Sequence, residues 1–490
     1  MNMQRAIVFL KQILLLLLAL NVISLLWAAL SHRALNADGS YFFFRLMEER
    51  KFIWDVNYLR IFSSVLQLPS VIVMWLGPET KSNVIPSLLY DLAFNLHPIL
   101  SLYLCYRILK RFDRIDYFLF PVLSFVLCTQ ALMSYPTLIV PETLSLYWPL
   151  FTLMIFRKGD TRWETPLLCA LLFCMAFSYE VALLLFLLNI AILIFRRRNH
   201  LATRTSDLIL ISLNFFGFCF MLWRLFRPHA GRMDQFIFAL RLPVWGQPFR
   251  VVGMAAIGAL SLCIPIGYYV HKLRFLLSLS LVSLGLLLVF YFFGYVYLRE
   301  DLTQIYSGAW LERTTAIPFS CAIACLFAFA ASDGVSSWWS QRTGIYFGVS
   351  FLTCSALVIS LGQDLMLTHI WRSTYDRVQF LRINHPGCNI ISPELMTHYF
   401  EHPYMAGGYW LPLYTLAPEK SLAVTSIFFV ENSPTGDSCR PNSQSTQAKM
   451  SFDIGSSLNN FNLRAIVTGS IRIHEWDNAN QQPVTREVAR

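Results

Sequence analysis

Apolar runs of roughly 17 or more residues recur along most of this 490-residue chain. Runs of that length are matched to the hydrocarbon core of a bilayer, which an α-helix crosses in about 20 residues. In lipid every backbone polar group must be satisfied within the protein, so helices or closed barrels are the available solutions, and unbroken apolar runs read as helices. Composition agrees: 56% of residues are hydrophobic and 14% are charged, whereas about a quarter of a soluble domain is charged. The expected fold is an all-α polytopic membrane protein of about eleven transmembrane helices, with a small α+β domain at the C-terminal, outer-face end.

The first run, Ala6 to Leu30, is too long for the apolar region of a signal peptide and shows no small-residue cleavage site, so it reads as a retained first helix. A mixed-charge segment, Ser31 to Arg60, follows, in which Tyr41 to Trp54 has the pattern of an amphipathic surface helix. Ile61 to Leu76 is apolar but short and contains Pro69. Further spans are expected at Pro86 to Arg107, Ile115 to Met133 and Leu138 to Phe156. Thr165 to Phe195 holds about 31 residues, too many for one straight crossing, and reads as two helices meeting near Ser178-Tyr179-Glu180. Asp207 to Trp223, Val251 to Val270, Phe275 to Leu298, Thr314 to Ala331 and Gly344 to Leu361 complete the set.

The net charge of +10 is no nucleic-acid signature, because much of it sits in short clusters between apolar runs. Basic clusters at 107–114, 157–162, 196–204 and 271–274 should share the cytoplasmic side. That parity works only if Ile61 to Leu76 is interfacial or re-entrant rather than a span. The N-terminus then lies inside and the C-terminus outside. The expected division is a membrane domain over 1–361, with its first outer loop at 31–85, and an outer-face domain over 362–490. There, strand-like pieces at Leu422 to Val430 and Leu463 to Ile473 are separated by Pro, Asn, Ser and Gly turns.

Nine of the eleven cysteines lie in apolar runs and read as small core residues; Cys388 and Cys439 lie in the polar tail and could form a disulfide in an oxidising compartment. No Cys/His spacing resembles a zinc site, so no metal ligands are assigned and a divalent ion is left open.

The chemistry-bearing candidates gather on the expected outer face. Asp38, in Asp38-Gly39-Ser40-Tyr41, is either a general base for a hydroxyl or a turn former and cap for the helix that follows. Glu142 follows Pro141 at the start of a helix, where a carboxylate also favours the helix dipole. Glu180 lies inside a long apolar stretch, and carboxylates at membrane depth are functional candidates. Asp91 and His97 could pair with each other or with neighbouring helices, and structural use is the simpler reading. The outer loop expected over Arg224 to Arg250 carries Arg224, Arg227, His229, Arg232, Arg241 and Arg250 against Asp234 alone. Arginines on the outer face suit a phosphate, or anionic lipid head groups. Arg313, at a membrane boundary before Pro318, can reach a lipid-linked phosphate or snorkel, and Arg372 and Arg377 are weaker candidates of the same kind.

In order along the chain, these features resemble the type-C fold (GT-C) integral membrane glycosyltransferases, which use polyprenyl-phosphate sugars. Asp38-Gly39-Ser40-Tyr41 stands at the first outer loop, Pro141-Glu142 opens a later helix, Tyr179-Glu180 sits at a bent helix pair ending in Arg196-Arg197-Arg198, and Glu312-Arg313 precedes a late helix. The resemblance implies catalytic roles for Asp38 as base and for Glu142 and Glu180 near the sugar or phosphate. It also implies binding of the lipid phosphate by Arg313 with Arg224, Arg227, His229 and Arg232. The first loop has one Asp beside Gly where many members carry two acids, which leaves the second carboxylate and metal use open. The size and outer domain are similar to enzymes that modify lipopolysaccharide O-antigen.

The implied ligands are membrane lipid, a polyprenyl-phosphate sugar donor and a glycan or glycolipid acceptor. The implied location is a bacterial inner membrane, with the active site on the periplasmic side. A transporter or flippase of a lipid-linked sugar, or a glycan polymerase or ligase, would share the outer arginines.

Overall fold

The computed structural model describes residues 3–35, 65–76, 84–134, 139–157, 163–178, 182–198, 205–226, 320–328, 343–385, 387–400, 426–430, 471–477 and 482–488, with positions 42, 43, 46, 52, 316, 317, 330 and 331. These residues are predominantly helical. The helices are α1 (Met3–Leu30), α2 (Leu68–Leu76), α3 (Val84–Arg111), α4 (Leu119–Ser134), α5 (Ile139–Phe156), α6 (Glu164–Ala176), α7 (Leu183–Arg198), α8 (Thr205–Phe226) and α9 (Thr343–Asn384). Among the described residues four helical stretches are long and apolar enough to cross a membrane: Val8–Leu30, Ile85–Arg111, Asp207–Arg224 and Gly348–Asn384. The expected spans at 251–270 and 275–298 lie outside the described residues.

The long apolar segment at 165–195 is two helices, α6 and α7, as its length requires, and Phe177 and Ser178 close α6 with bonds back to the carbonyls of Cys174 and Met175. α2 has nine residues, about 13 Å of helix, and is too short to cross a bilayer. α9 differs from expectation. Its apolar sequence ends near Leu361, yet the helix continues without a break to Asn384. Its 42 residues make about 63 Å. No proline interrupts the sequence until Pro386, so the backbone has no reason to stop where hydropathy falls.

Side-chain contacts fix the helix directions. α1 and α9 run the same way: Cys354 Sγ meets the Leu10 carbonyl, Asn21 Nδ2 donates to the Leu357 carbonyl (3.3 Å), and Trp371 Nε1 donates to the Ser31 carbonyl (3.0 Å). α3 runs opposite to α1. Its early residues meet 32–34, while Asp116, beyond its end, lies within electrostatic reach of Lys11. α5 runs parallel to α3 through His97–Ser145 (2.9 Å) and Cys105–Thr152. Trp148 Nε1 donates to Ser320 (3.0 Å), and Phe327 packs on Phe120, Trp148 and Phe151 in the bundle core. α7 and α8 pack so closely that a Cβ on Gly217 would fall 2.4 Å from the Phe186 ring.

The bundle therefore has two unlike ends. One gathers Lys11, Arg107, Lys110, Arg111, Arg114 and Arg157 and is called the basic end. The other gathers residues 31–35, Asp91, Glu142, Ser178 and Asp364 and is called the polar end. The N-terminal helix start and the 107–114 and 157 cations thus share one end, as the charge parity of the sequence requires.

Beyond α9 lies a four-stranded sheet of β1 (Gly387–Ile391), β2 (Ser426–Val430), β3 (Ile471–Asp477) and β4 (Gln482–Val488), in the order β2-β1-β3-β4. β1 is parallel to both neighbours, and β4 pairs antiparallel with β3 as a hairpin. The pieces expected at 422–430 and 463–473 overlap β2 and the start of β3. A short helix, α10 (Pro393–Tyr399), follows β1. Ser392 caps it by accepting from Leu395 N, and Pro393 fills a first-turn position where no donor is needed. Arg377 Nε of α9 donates to the Tyr399 carbonyl (3.0 Å) and Asn389 Nδ2 donates to the His385 carbonyl (2.9 Å), which ties α10 and β1 to the end of α9.

Candidate functional site

The polar end is built on a segment of four residues, 31–34, that leaves α1 and is held by side chains of α3 and α9. Trp371 donates to the Ser31 carbonyl (3.0 Å). The His32 ring lies with Nδ1 2.8 Å from Asp91 Oδ2 and 3.2 Å from Ser87 Oγ. Arg33 turns inward, pairs with Asp364, donates to Thr368 Oγ1 (2.8 Å) and reaches Asn95 Oδ1 (3.4 Å). Ala34 N donates to Asp91 Oδ1 (2.9 Å).

Each anchor has a local reason. His32 takes the left-handed backbone (φ 56°) that ends α1, and its N–H returns to the Ala29 carbonyl. That reversal sends the next side chain, Arg33, back between the helices. Arg33 is 1% exposed and Asp364 2%. Neither charge would be tolerated there alone, since several kcal/mol of desolvation must be offset by the partner and by further hydrogen bonds. Asp364 receives a second donor, Ser24 Oγ, and Asn95 is itself fixed by donating to the Asp91 carbonyl (2.8 Å).

Of the residues assigned catalytic or phosphate-binding roles, Glu142 and Arg224 lie within the described structure with their side chains. Glu142 is in the first turn of α5 and fully buried. The preceding Pro141 carbonyl is met by Cys128 Sγ of α4, and Ser145, one turn on, binds His97 of α3. Arg224 is not in a loop, as expected from sequence, but in the last turn of α8, 5% exposed. Its Nη1 donates to the carbonyls of Ala176 and Ser178 (both 3.1 Å), so this guanidinium ties the end of α8 to the end of α6. The physical reason is that the last carbonyls of α6 have no partner of their own and a cation satisfies them well.

Asp38, Glu180, Arg227, His229, Arg232, Arg313 and Cys439 lie outside the described residues. Cys388 is the second residue of β1, in register with Ile427 and Ile471. Leu35, Ser178 and Ala316 are the nearest described residues preceding Asp38, preceding Glu180 and following Arg313. Leu35 and Ser178 sit at the polar end. Ala316 precedes Ser320, and the chain runs from Ser320 toward Phe327 and the basic end, so Ala316 also lies on the polar side. Asp91 and His97 do not pair with each other: Asp91 serves 32–34 and His97 serves Ser145. Arg372 makes a loose pair with Asp376 (3.7 Å), and Arg377 is taken up by α10. Among the described residues no group of three or more His, Cys, Asp or Glu is placed to hold a metal ion.

Sequence reasoning missed the centre of this site. Arg33 and Asp364 are 331 positions apart, and Asp364 falls three residues past the point where hydropathy ends the last span. The signal available was an acid within one turn of an apolar helix, which at membrane depth needs a partner.

No protein-family model matches the chain, and no curated protein is significantly similar to it in sequence. The fold and the site define the chain, at this level, as a helical protein with helices suited to crossing a membrane and a buried acid–base junction at one end of its bundle.

Proposed function

We propose that this chain is a membrane glycosyltransferase that moves a sugar from a polyprenyl-phosphate donor to a glycan or glycolipid acceptor on the outer face of the membrane. In this reading the chain spans the membrane about eleven times, with its N-terminus in the cytoplasm of a bacterial cell and an α+β domain over 362–490 in the periplasm. Asp38 takes the proton of the acceptor hydroxyl, the oxygen attacks the anomeric carbon, and the phosphate departs with the electron pair of its bond to the sugar. Arg313, Arg227, His229 and Arg232 balance the phosphate charge. Glu142 and Glu180 orient sugar hydroxyls. Arg224 supports the site from the scaffold, since its guanidinium is engaged by the 176–178 backbone.

The observation that carries the reading is the clamp on 31–34. A chain whose first loop merely connected two helices would have no need to fix its root with two carboxylates and an indole from two other helices. A loop that delivers a base within a fraction of an ångström does need it. The test is transfer from a radiolabelled polyprenyl-phosphate monosaccharide by the full chain in detergent. Asp38→Asn is expected to fold normally and lose at least about 100-fold in rate. Full transfer by that variant overturns the base assignment.

A second reading, a transporter of a lipid-linked sugar, draws on the buried acids Asp91 and Asp364, which lie within membrane-length helices. Movement of the labelled lipid across a vesicle membrane without sugar transfer is its signature.

A further inference from the structure

The exposed side of α3 changes character along its length. Leu100, Tyr103 and Leu104 stand on one side of the helix, and Arg107, Lys110 and Arg111 continue that side to its end. Cys105 and Leu109, on the opposite side, are fully buried. α3 holds one of the stretches long and apolar enough to cross a membrane, Ile85–Arg111, so in a bilayer its exposed side meets lipid. From Leu100 to Arg111 the stripe runs about 16 Å, close to the roughly 15 Å of hydrocarbon in one leaflet. The cations therefore stand where head groups begin, and the leucines stand where acyl chains lie.

The cations of this stripe are held in place but not neutralised. Among the described residues no carboxylate lies within ion-pair distance of Arg107, Lys110 or Arg111. Arginines elsewhere are matched: Arg33 by Asp364, Arg157 by Asp207 and Arg224 by two backbone carbonyls. Arg107 Nη1 donates to the Tyr103 hydroxyl (2.7 Å), which leaves the phenol its own O–H to donate. Arg111 lies over the ring of Trp163, which is itself exposed at the start of α6. These aromatic contacts order the guanidinia without cancelling their charge. Two arginines one turn apart, with a phenol O–H beside them, make a donor set suited to phosphate oxygens.

We propose that this stripe is a binding site for an anionic phospholipid, whose phosphate is held by Arg107, Arg111 and the Tyr103 O–H and whose acyl chain lies along Leu104 and Leu100. Lys110 adds a third positive charge beside the phosphate. A zwitterionic lipid brings a cation of its own to the same place and offsets the attraction, so the site selects a head group of net negative charge. The inference rests on α3 crossing a membrane and not on the glycosyl-transfer reading.

The test uses the full-length chain in phosphatidylcholine vesicles that carry a trace of lipid with a photoreactive acyl chain, either phosphatidylglycerol or phosphatidylcholine. Labelled peptides are mapped by mass spectrometry. The phosphatidylglycerol probe is expected to label 100–111 at least about fivefold more than the phosphatidylcholine probe. Unlabelled phosphatidylglycerol should suppress that excess, and inorganic phosphate should not. Arg107→Gln and Arg111→Gln, both at exposed positions, should each lower the ratio toward one. Arg114→Gln removes the same charge from the same end of the bundle, but Arg114 lies past the left-handed turn at Asp113 (φ 56°) that ends the stripe, and the ratio should survive. Equal labelling by the two probes, suppression by inorganic phosphate, or an unchanged ratio in Arg107→Gln and Arg111→Gln overturns the proposal. So does an equal loss in Arg114→Gln, because summed charge alone would then attract the lipid.

Discussion

The two ends of the bundle use charge in opposite ways. At the basic end, cations cluster at helix ends, and each meets its own helix or the end of another close by. Arg107 binds Tyr103 one turn away, Arg111 lies over the Trp163 ring at 4.3 Å, and Arg157 pairs with Asp207 in the first turn of α8. At the polar end charges are fewer and deeper, and they join elements remote in sequence, with Arg33 and Asp364 331 positions apart. The difference follows from what each end must do. In the proposed topology the basic end faces the cytoplasm, a role that needs only net positive charge near the surface. An end that holds a short segment in a fixed place needs directional bonds from several helices, and burial makes those bonds strong and their loss severe.

The comparison predicts an order of effects. The largest belongs to Asp364→Asn, which keeps the shape of the side chain and removes its charge. Arg33 is then left 1% exposed without its counter-charge, and removing one member of a buried pair costs about 3–5 kcal/mol. Unfolding in detergent, followed by a thiol-reactive dye that reaches the buried Cys105, Cys128 and Cys354, should begin at a markedly lower temperature. A change of under about 1 kcal/mol would mean that Arg33 reaches water when unpaired, and the contrast between the ends would fail.

The middle effect belongs to Asp207→Asn at the basic end. This pair with Arg157 is also mostly buried, the side chains being 8% and 5% exposed. Two features limit the loss. Arg157 follows the last residue of α5 and can extend toward the interface. Asp207 sits in the first turn of α8, where an asparagine still offers an acceptor to the free N–H groups. A loss of about 1–2 kcal/mol is expected in the same dye assay. A loss equal to that of Asp364→Asn would place the two ends on one footing.

How much of this could be read from the sequence depends on how local each feature is. The bent pair α6–α7 was legible because length alone forbids one straight span. The shared end of the 107–114 and 157 cations was legible because parity is a count. Glu142 at a helix start was legible from Pro141. The clamp was not, because its partners are residues whose sequence neighbourhoods look ordinary: Asn95 and Asp91 in one apolar helix, Thr368 and Trp371 past the most apolar part of another. The charge of 224–250 reads as one loop cluster in the sequence, whereas α8 keeps Arg224 for the carbonyls of Ala176 and Ser178. The extension of α9 was missed because hydropathy marks where a bilayer ends, not where a helix ends. The strands β1 and β4 have too few alternating residues to stand out from the turns around them.

The smallest effect belongs to Asp376→Asn, and it asks where the membrane stops along α9. Arg372 and Asp376 are one turn apart at 3.7 Å, with side chains 57% and 68% exposed. In water such a pair contributes no more than a few tenths of a kcal/mol, because solvent screens it and ordering two flexible chains opposes it. Asp376→Asn should therefore leave the dye transition where it was, and added salt should not change that result. The alternative is informative. If residues 372–376 lay in hydrocarbon, the pair would be the only compensation available to either charge, and the same substitution would lower the transition by an amount near that of Asp364→Asn. A neutral result marks the last third of α9 as a stalk in water, carrying the sheet away from the bilayer while its earlier turns hold Arg33.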